Sequence, residues 1–200
     1  QYSSAAQVLP SGDYVVAWTS EGQDGSGTGV YAQMFNCYGV PLGDEFPVNT
    51  FSAGDQQRPQ IAALTDSSFV IAWNSNGQDG SSWGVFAQRF NPAGGKVGSE
   101  FRVNTTTTRE QVIDASSVVG MNDGGFLIAW ASNQNHNYDI FGQRYDAEAN
   151  PVGFEHLINT NTADHQGWVS VATLIDGKYV ATWSSVGQDG PGSVSYTHLT

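Results

Sequence analysis

The sequence contains little cysteine, little basic charge and no long hydrophobic run. Cys37 is the one cysteine among 200 residues, which excludes an intrachain disulfide and a zinc site built from several cysteines. Lysine and arginine number 7 against 19 aspartates and glutamates, and the formal net charge is −12. Such a chain repels phosphate backbones, so nucleic acid is not predicted as a partner. No apolar run approaches the roughly 18 residues of a membrane span, so membrane insertion is not predicted either.

Charged side chains of both signs are also scarce. They make up 13% of the sequence, and Gly, Ser, Thr, Asn and Gln take their place. This composition is typical of a β protein with many turns and unfavourable for helices. Apolar residues still account for 39% of the chain and aromatic residues for 12%, which is enough for a packed core.

A repeat of 55 residues is the strongest signal in the sequence. A tryptophan ends each of the apolar segments YVVAW, FVIAW, FLIAW and YVATW, and these tryptophans keep nearly the same spacing. Three polar series recur at intervals of 55: Gln1, Gln56, Gln111 and Gln166; Gln33, Gln88 and Gln143; Asn49, Asn104 and Asn159. A fixed period of this size indicates a solenoid, a propeller or a linear array.

Each repeat contains four short strand candidates. In the second repeat they are QIAAL, SFVIAW, VFAQRF and EFRVN, and turn residues separate them. Four short strands in succession predict an antiparallel meander, which buries both faces only if neighbouring meanders stack. We therefore expect an all-β fold, a β-propeller-like array of four-stranded antiparallel blades; a linear array of small β units is the alternative.

The repeats divide the chain into three complete units and a partial one. The predicted units are 1–55, 56–110, 111–165 and 166–192, and residues 193–200, SVSYTHLT, form a divergent or artefactual tail. Common propellers have about four to eight blades. We therefore expect an incomplete propeller, a fragment of a larger protein.

The tetrapeptide GQDG occurs in three of the four units. Its aspartates, Asp24, Asp79 and Asp189, are weak calcium candidates, because carboxylate and carbonyl oxygens of a glycine-rich loop suit a hard cation. Calcium takes about six to eight oxygens, however, and each loop offers one recurring carboxylate. The alternative is an Asx-type turn with a structural role. No other cofactor is predicted.

The GQDG loops are predicted to share one face of the meander with the loops between units. Those loops carry Asp55, Glu110 and Asp164, which makes this face acidic. Trp83 lies in a glycine-rich loop where the first unit has Thr28. These four residues form the predicted binding surface for a protein or a carbohydrate. The other tryptophans that end apolar strands are predicted to be core, and the recurring glutamines to bond peptide groups of the next blade or of the glycine loop.

No catalytic residue is predicted. The four histidines do not recur and form no metal-binding pattern. The arginines suggest an arginine-lined, sialidase-like pocket, but Arg89 and Arg144 occupy the same repeat position, which favours a repeated rim contact. Asn104 begins an NTT glycosylation sequon, which matters only in a eukaryotic secretory setting.

The order A-W, Q-D-G, G-V-x-A-Q-R-F and E-F-x-V-N-T over residues 1 to 192 resembles the repeat of large bacterial surface and secreted proteins, the group of hemolysin-type (RTX) calcium-binding proteins and cadherin-like adhesins. This resemblance implies an extracellular or cell-surface location. It favours a non-enzymatic repeat module for adhesion or binding that packs against neighbouring repeats of the same chain. The alternatives are part of a carbohydrate-active propeller enzyme and a passive spacer.

Overall fold

The protein is all-β and consists of propeller blades. The computed structural model describes residues 1–187 and 193–199, with side chains described as far as residue 187. No helix long and apolar enough to cross a membrane occurs in these ranges. The strands of the first two sheets are β1 (Tyr2–Val8), β2 (Tyr14–Glu21), β3 (Thr28–Phe35), β4 (Phe46–Pro47), β5 (Gln56–Ala63), β6 (Phe69–Asn76), β7 (Trp83–Phe90) and β8 (Lys96–Arg102). Those of the last two are β9 (Gln111–Val112), β10 (Val118–Gly120), β11 (Phe126–Ser132), β12 (Asp139–Tyr145), β13 (Pro151–Leu157), β14 (Gln166–Thr173), β15 (Tyr179–Val186) and β16 (Ser193–Leu199).

Each sheet is an antiparallel meander in which strands pair in sequence order. In the third sheet the first strand is divided, and β9 and β10 both pair with β11. The first strands of the four sheets lie side by side, with β1 against β5, β5 against β10 and β10 against β14. They are therefore the innermost strands of a disc, and the fourth strands form its rim. The four-stranded blades predicted from the repeat are confirmed.

Burial along the strands follows their radial position. All residues of β6 except the last are buried, because sheets cover both of its faces, as its continuous apolar sequence indicates. Most residues of the rim strand β8 are exposed.

The core consists of three layers, one between each pair of neighbouring blades. In the first layer Phe69 and Trp73 of β6 belong to one cluster with Val15 and Ala17 of β2. A large aromatic face of one blade thus packs on a smaller aliphatic face of the preceding blade, and this arrangement recurs in the next two layers. Trp73 and Trp130 are fully buried and Trp183 is 7% exposed. Trp18 is only half-buried, and its counterparts in the other blades face a preceding blade.

The recurring asparagine at the end of each fourth strand is buried and holds three segments together. Asn104 Oδ1 accepts a hydrogen bond from the main-chain N–H of Val85 at 2.8 Å. Asn104 Nδ2 donates to the Thr106 carbonyl at 2.8 Å and to Gln111 Oε1 at 3.2 Å. Asn104 is 2% exposed, so the amide nitrogen of the NTT sequon points into the fold and is engaged there.

The glutamine of each third strand bonds within its own blade. Gln88 Nε2 donates to the carbonyls of Arg89 at 2.8 Å and Val97 at 3.0 Å, and Gln143 makes the same pair of contacts. The expected partners in the next blade or the glycine loop were wrong, because the side chain reaches the adjacent third and fourth strands of its own sheet instead.

The last segment forms a strand despite its departure from the repeat. Residues of β16 pair with β15 over its whole length, from Val180 opposite Leu199 to Val186 opposite Ser193. Strand β16 therefore takes the place of the third strand of the fourth blade.

Candidate functional site

The four innermost strands surround a central cavity of about 620 Å³. Its wall consists mainly of small side chains such as Ala5, Ala62 and Ala172, and none of its lining residues carries a charge. Reactive chemistry is therefore confined to the ends of this cavity.

One end of the cavity opens into a mouth of about 330 Å³. The mouth shares Ser4, Gln60 and Ala115 with the central cavity, and its wall is completed by Ser3, Arg58, Asp114 and Trp168. It lies where the innermost strands begin, directly after the loops between blades. The GQDG loops lie on the same face, as predicted, since the main-chain N–H of Asn76 donates to the carbonyl of Asp55 at 2.8 Å.

Three residues of the mouth occupy one repeat position and share a strained backbone. Ser3, Arg58 and Trp168 follow each other at intervals of 55 and have φ of 49°, 57° and 50°. Each lies in a β-bulge where the register between first and second strand shifts. A bulge turns a side chain away from the regular strand direction, and a positive φ in a residue other than glycine costs about 1–3 kcal/mol and is concentrated at functional sites. The bulges therefore direct one variable side chain per blade into the mouth.

The third blade contributes a carboxylate instead. Its equivalent residue, Ile113, is buried, and its main-chain N–H donates to Asn74 Oδ1 at 2.8 Å. The two-residue slip seen in the tryptophan spacing lies here, because the innermost strand is interrupted between β9 and β10. This interruption places Asp114 in the lining of the mouth.

Asp114 is a partly desolvated carboxyl group. Its side chain is 19% exposed, and its Oδ1 lies 3.8 Å from Arg58 Nη1, whose side chain is 55% exposed. Burial raises the pKa of Asp114, and the charge of Arg58 and a hydrogen bond from the main-chain N–H of Trp168 oppose this shift only in part. Asp114 therefore keeps its proton to a higher pH than an ordinary aspartate and is suited to donate it.

Trp168 presents an indole to solvent at the same mouth. It is 71% exposed, whereas the tryptophans of β6 and β11 are buried. The sequence interpretation missed Trp168 and treated Arg58 as one of five similar arginines. A signal was present, because Ser3, Arg58 and Trp168 differ in chemistry at one position of an otherwise regular repeat.

Next to the mouth lies an interblade cleft of about 260 Å³, between the third and fourth blades. We define it by Val112, Ala131, Tyr138, His165, Gly167 and Val186; it shares Asp114 and Trp168 with the mouth. Burial, followed by the neighbouring carboxylate of Glu110, raises the pKa of Tyr138 to about 12. The phenol therefore stays protonated and donates to Glu110 Oε2.

The predicted binding surface lies on the same face but outside the mouth. Asp55 Oδ1 accepts hydrogen bonds from the Thr28 main chain at 3.0 Å and from its hydroxyl at 3.2 Å, and Glu110 accepts one from Tyr138. Both acids thus connect adjacent loops. Asp164 is exposed and Trp83 is half-buried at the start of β7. A binding role for these four residues stays a prediction.

The aspartates of the GQDG loops form Asx turns. Asp24 Oδ1 accepts a hydrogen bond from the Ser26 N–H and Asp79 Oδ1 one from the Ser81 N–H, both at 3.1 Å. Asp189 lies outside the described residues. In the described part of the chain no three His, Cys, Asp or Glu side chains converge as a metal site would require, and calcium binding stays a prediction.

The glutamine of GQDG has a structural contact of its own. Gln78 Nε2 donates to Glu100 Oε1 at 2.5 Å, and Glu100 Oε2 accepts a hydrogen bond from the Thr50 N–H of the preceding blade. The motif thereby ties its loop to the rim strand, which in turn holds the neighbouring blade.

The remaining arginines do not converge with Arg58. Arg89 pairs with Asp66 at 3.3 Å, and Arg144 pairs with Asp123. Both aspartates lie in the turns between first- and second-strand segments, at the opposite face of the disc. An arginine-lined pocket is therefore not formed by these residues, and the repeated contact predicted for Arg89 and Arg144 is an ion pair.

The fold is similar to that of several solved structures. A protein of unknown function from Dyadobacter fermentans aligns with a TM-score of 0.68 and 11% identity, over 98% of this chain and 65% of that one. An α-L-arabinofuranosidase from Fusarium graminearum, solved with an iminosugar inhibitor, aligns with a TM-score of 0.65 and 12% identity, over 98% and 61%. An α-L-arabinanase from Penicillium chrysogenum, solved with arabinobiose, aligns with a TM-score of 0.63 and 17% identity, over 98% and 62%. The chain therefore spans less than two thirds of each of these structures.

Neither a protein-family model nor a curated protein matches the sequence. At such low identities the structural likeness establishes the β-propeller fold alone.

The likenesses nevertheless contradict two expectations from the sequence, a non-enzymatic module for adhesion or binding and the absence of enzymatic activity. The similar propellers whose activity is known are glycosidases. They favour the alternative stated above, part of a carbohydrate-active propeller enzyme. The resemblance to the surface-protein repeat stays an expectation.

Proposed function

We propose that the chain is part of a β-propeller enzyme that acts on glycosides, and that it binds the sugar at the mouth of the central cavity. The observation that carries the proposal is the meeting of Arg58, Asp114 and Trp168 at this mouth. Two of them stand at strained bulge positions, and the third has a raised pKa. The arabinobiose complex of the similar arabinanase supports an arabinose-containing substrate.

Each of the three side chains has a role that its chemistry suits. The exposed indole of Trp168 offers an apolar face on which the C–H face of a sugar ring stacks. The guanidinium of Arg58 offers N–H donors to sugar hydroxyls. Protonated Asp114 donates its proton to the glycosidic oxygen as the bond from that oxygen to the anomeric carbon breaks, and water supplies the hydroxyl group that the anomeric carbon gains.

Glycoside hydrolysis commonly requires two carboxyl groups, one on either side of the scissile bond. Of the described residues that line the mouth, Asp114 is the one that bears a carboxyl group. We infer that the second carboxylate belongs to a part of the disc beyond the described blades. The similar glycosidases extend well beyond the region that this chain matches.

The location and partners follow from this proposal. A polymeric glycan is encountered outside the cell, which fits the extracellular or cell-surface location expected from the sequence. A net charge of −12 does not oppose a neutral glycan, so carbohydrate is the proposed ligand.

Isothermal titration calorimetry with arabinobiose and arabinotriose tests the proposal. Trp168→Ala is expected to weaken binding at least about tenfold, since it removes the stacking surface. Trp83→Ala is the matched control on the same face and should leave the affinity unchanged. Loss of binding in Trp83→Ala with none in Trp168→Ala would instead place the ligand on the surface predicted from the sequence. No binding by the unaltered chain would overturn the proposal for these sugars.

A further inference from the structure

We propose that the interblade cleft binds the aromatic aglycone of a glycoside whose sugar lies at the mouth. The proposal rests on the proposed function, and it narrows the substrate class to aryl glycosides. Three observations carry it: the apolar lining of the cleft, its volume, and its continuity with the mouth through Asp114 and Trp168.

The lining of the cleft offers few free hydrogen-bonding groups. Val112, Ala131 and Val186 supply aliphatic walls. Tyr138 has its hydroxyl engaged by Glu110, and His165 Nδ1 lies 3.3 Å from the main-chain N–H of Tyr138, within reach of its hydrogen bond.

The glutamine beneath the cleft is engaged in the same way. Gln166 Nε2 donates to the Asp164 carbonyl at 3.1 Å, and its Oε1 accepts from the indole N–H of Trp183 at 3.2 Å. A second sugar would leave several hydroxyl groups without partners here, which is unfavourable. An aromatic ring loses no hydrogen bonds and gains contact with the walls.

The size of the cleft fits one aromatic ring. A dry apolar cavity of about 150 Å³ holds a benzene molecule in a well-studied protein, and the cleft measures about 260 Å³. The rings of Tyr138 and His165 lie at one side, with their centroids 5.7 Å apart in a tilted arrangement. An aryl group entering the cleft can therefore pack on aromatic edges as well as aliphatic walls.

The position of Asp114 determines which part of the substrate the cleft accepts. Asp114 lines both the mouth and the cleft. A carboxyl group that protonates the glycosidic oxygen must lie next to that oxygen, so the scissile bond passes between the two cavities. The group in the cleft is then bonded to the departing oxygen, which makes it the aglycone.

Calorimetric titration with two small glycosides tests the inference. The probes are methyl α-L-arabinofuranoside and 4-nitrophenyl α-L-arabinofuranoside. We expect the aryl glycoside to bind at least about tenfold more tightly, because the ring leaves water for an apolar site. Equal affinities would overturn the inference and leave the proposed function standing. Failure of both glycosides and of arabinobiose to bind would overturn both.

Two variants place the aryl group in the cleft. Val186→Asn introduces a polar group into the wall and should abolish most of the advantage of the aryl glycoside. Val152→Asn is the matched control, since Val152 also lies on a strand and is 43% exposed against 41% for Val186. An undiminished preference in the Val186 variant would contradict the assignment.

A filling variant guards against a folding defect. A Cβ built on Gly167 meets no atom within 4 Å, and its φ is not in the left-handed region. Gly167→Ile therefore fills the cleft with little strain and should remove the preference for the aryl glycoside while methyl glycoside binding persists. A preference retained in this variant, with the fold checked by circular dichroism, would refute the inference.

Discussion

Replacing Asn104 with alanine removes the contact that joins the third strand of one blade to the first strand of the next. The buried N–H of Val85 loses its acceptor, and an unsatisfied buried donor costs about 1–3 kcal/mol. The bonds from Asn104 to Thr106 and Gln111 contribute about 0.5–1.5 kcal/mol each. We therefore expect a loss of about 3–5 kcal/mol in the free energy of unfolding. At about 2–4 °C per kcal/mol for a chain of this size, Tm falls by about 6–20 °C.

The first blade supplies a matched comparison for this substitution. Asn49 makes the equivalent bonds to Val30, Phe51 and Gln56, but only Asn104 also donates to the GQDG aspartate, reaching Asp79 Oδ2 at 3.3 Å. A hydrogen bond to a charged group contributes about 1.5–3 kcal/mol, so Asn104→Ala should cost more than Asn49→Ala.

Urea unfolding followed by circular dichroism and by tryptophan fluorescence provides the measurement. Both probes are needed because stacked repeats can unfold in steps. A loss below about 1 kcal/mol for Asn104→Ala would refute the view that these asparagines hold the blades together.

Three further predictions follow from the same contacts. Trp73→Ala should cost about 3–5 kcal/mol in urea unfolding because the side chain is fully buried, and Trp18→Ala, at a half-buried position, should cost clearly less; equal losses would contradict the layered core. Burial raises the pKa of Asp114, so from about pH 4 up to the raised pKa the native state holds more protons than the unfolded chain and stability falls as pH rises. Thermal melts across this range should show a smaller fall for Asp114→Asn, and identical slopes would argue against a desolvated carboxyl. If Asp24 and Asp79 bind calcium, millimolar calcium must raise Tm; we expect no shift, because each carboxylate already accepts a turn hydrogen bond.

The repetitive parts of the molecule were the predictable ones. Phe69, Ile71 and Trp73 form a continuous apolar strand, which only a doubly covered sheet can bury. Recurring polar residues such as Asn104 and Gln111 had to be buried partners of backbone groups, since they kept their spacing beside the apolar strands. The limits of the strands were less predictable, because β5 begins at Gln56, four residues before the predicted QIAAL segment. A β-bulge between Gln57 and Gln60 lengthens that strand, and bulges leave little trace in a pattern of apolar residues.

The site depended on the positions at which the repeat is broken. Trp168 and Asp114 carry no recurrent pattern, and the polar residues that do recur, such as Asp55, prove to connect neighbouring loops. Recurrence therefore marked residues that hold the blades together, and it directed attention away from the mouth.

By itself the sequence determined that the chain is all-β, that its unit is a four-stranded meander of 55 residues, and that its units must stack. These properties follow from local periodicity and from the need to cover two apolar faces of every sheet. Only the tertiary structure decided that Arg58, Asp114 and Trp168 meet. They lie about 55 residues apart along the chain and come together because each blade directs the start of its innermost strand toward one axis.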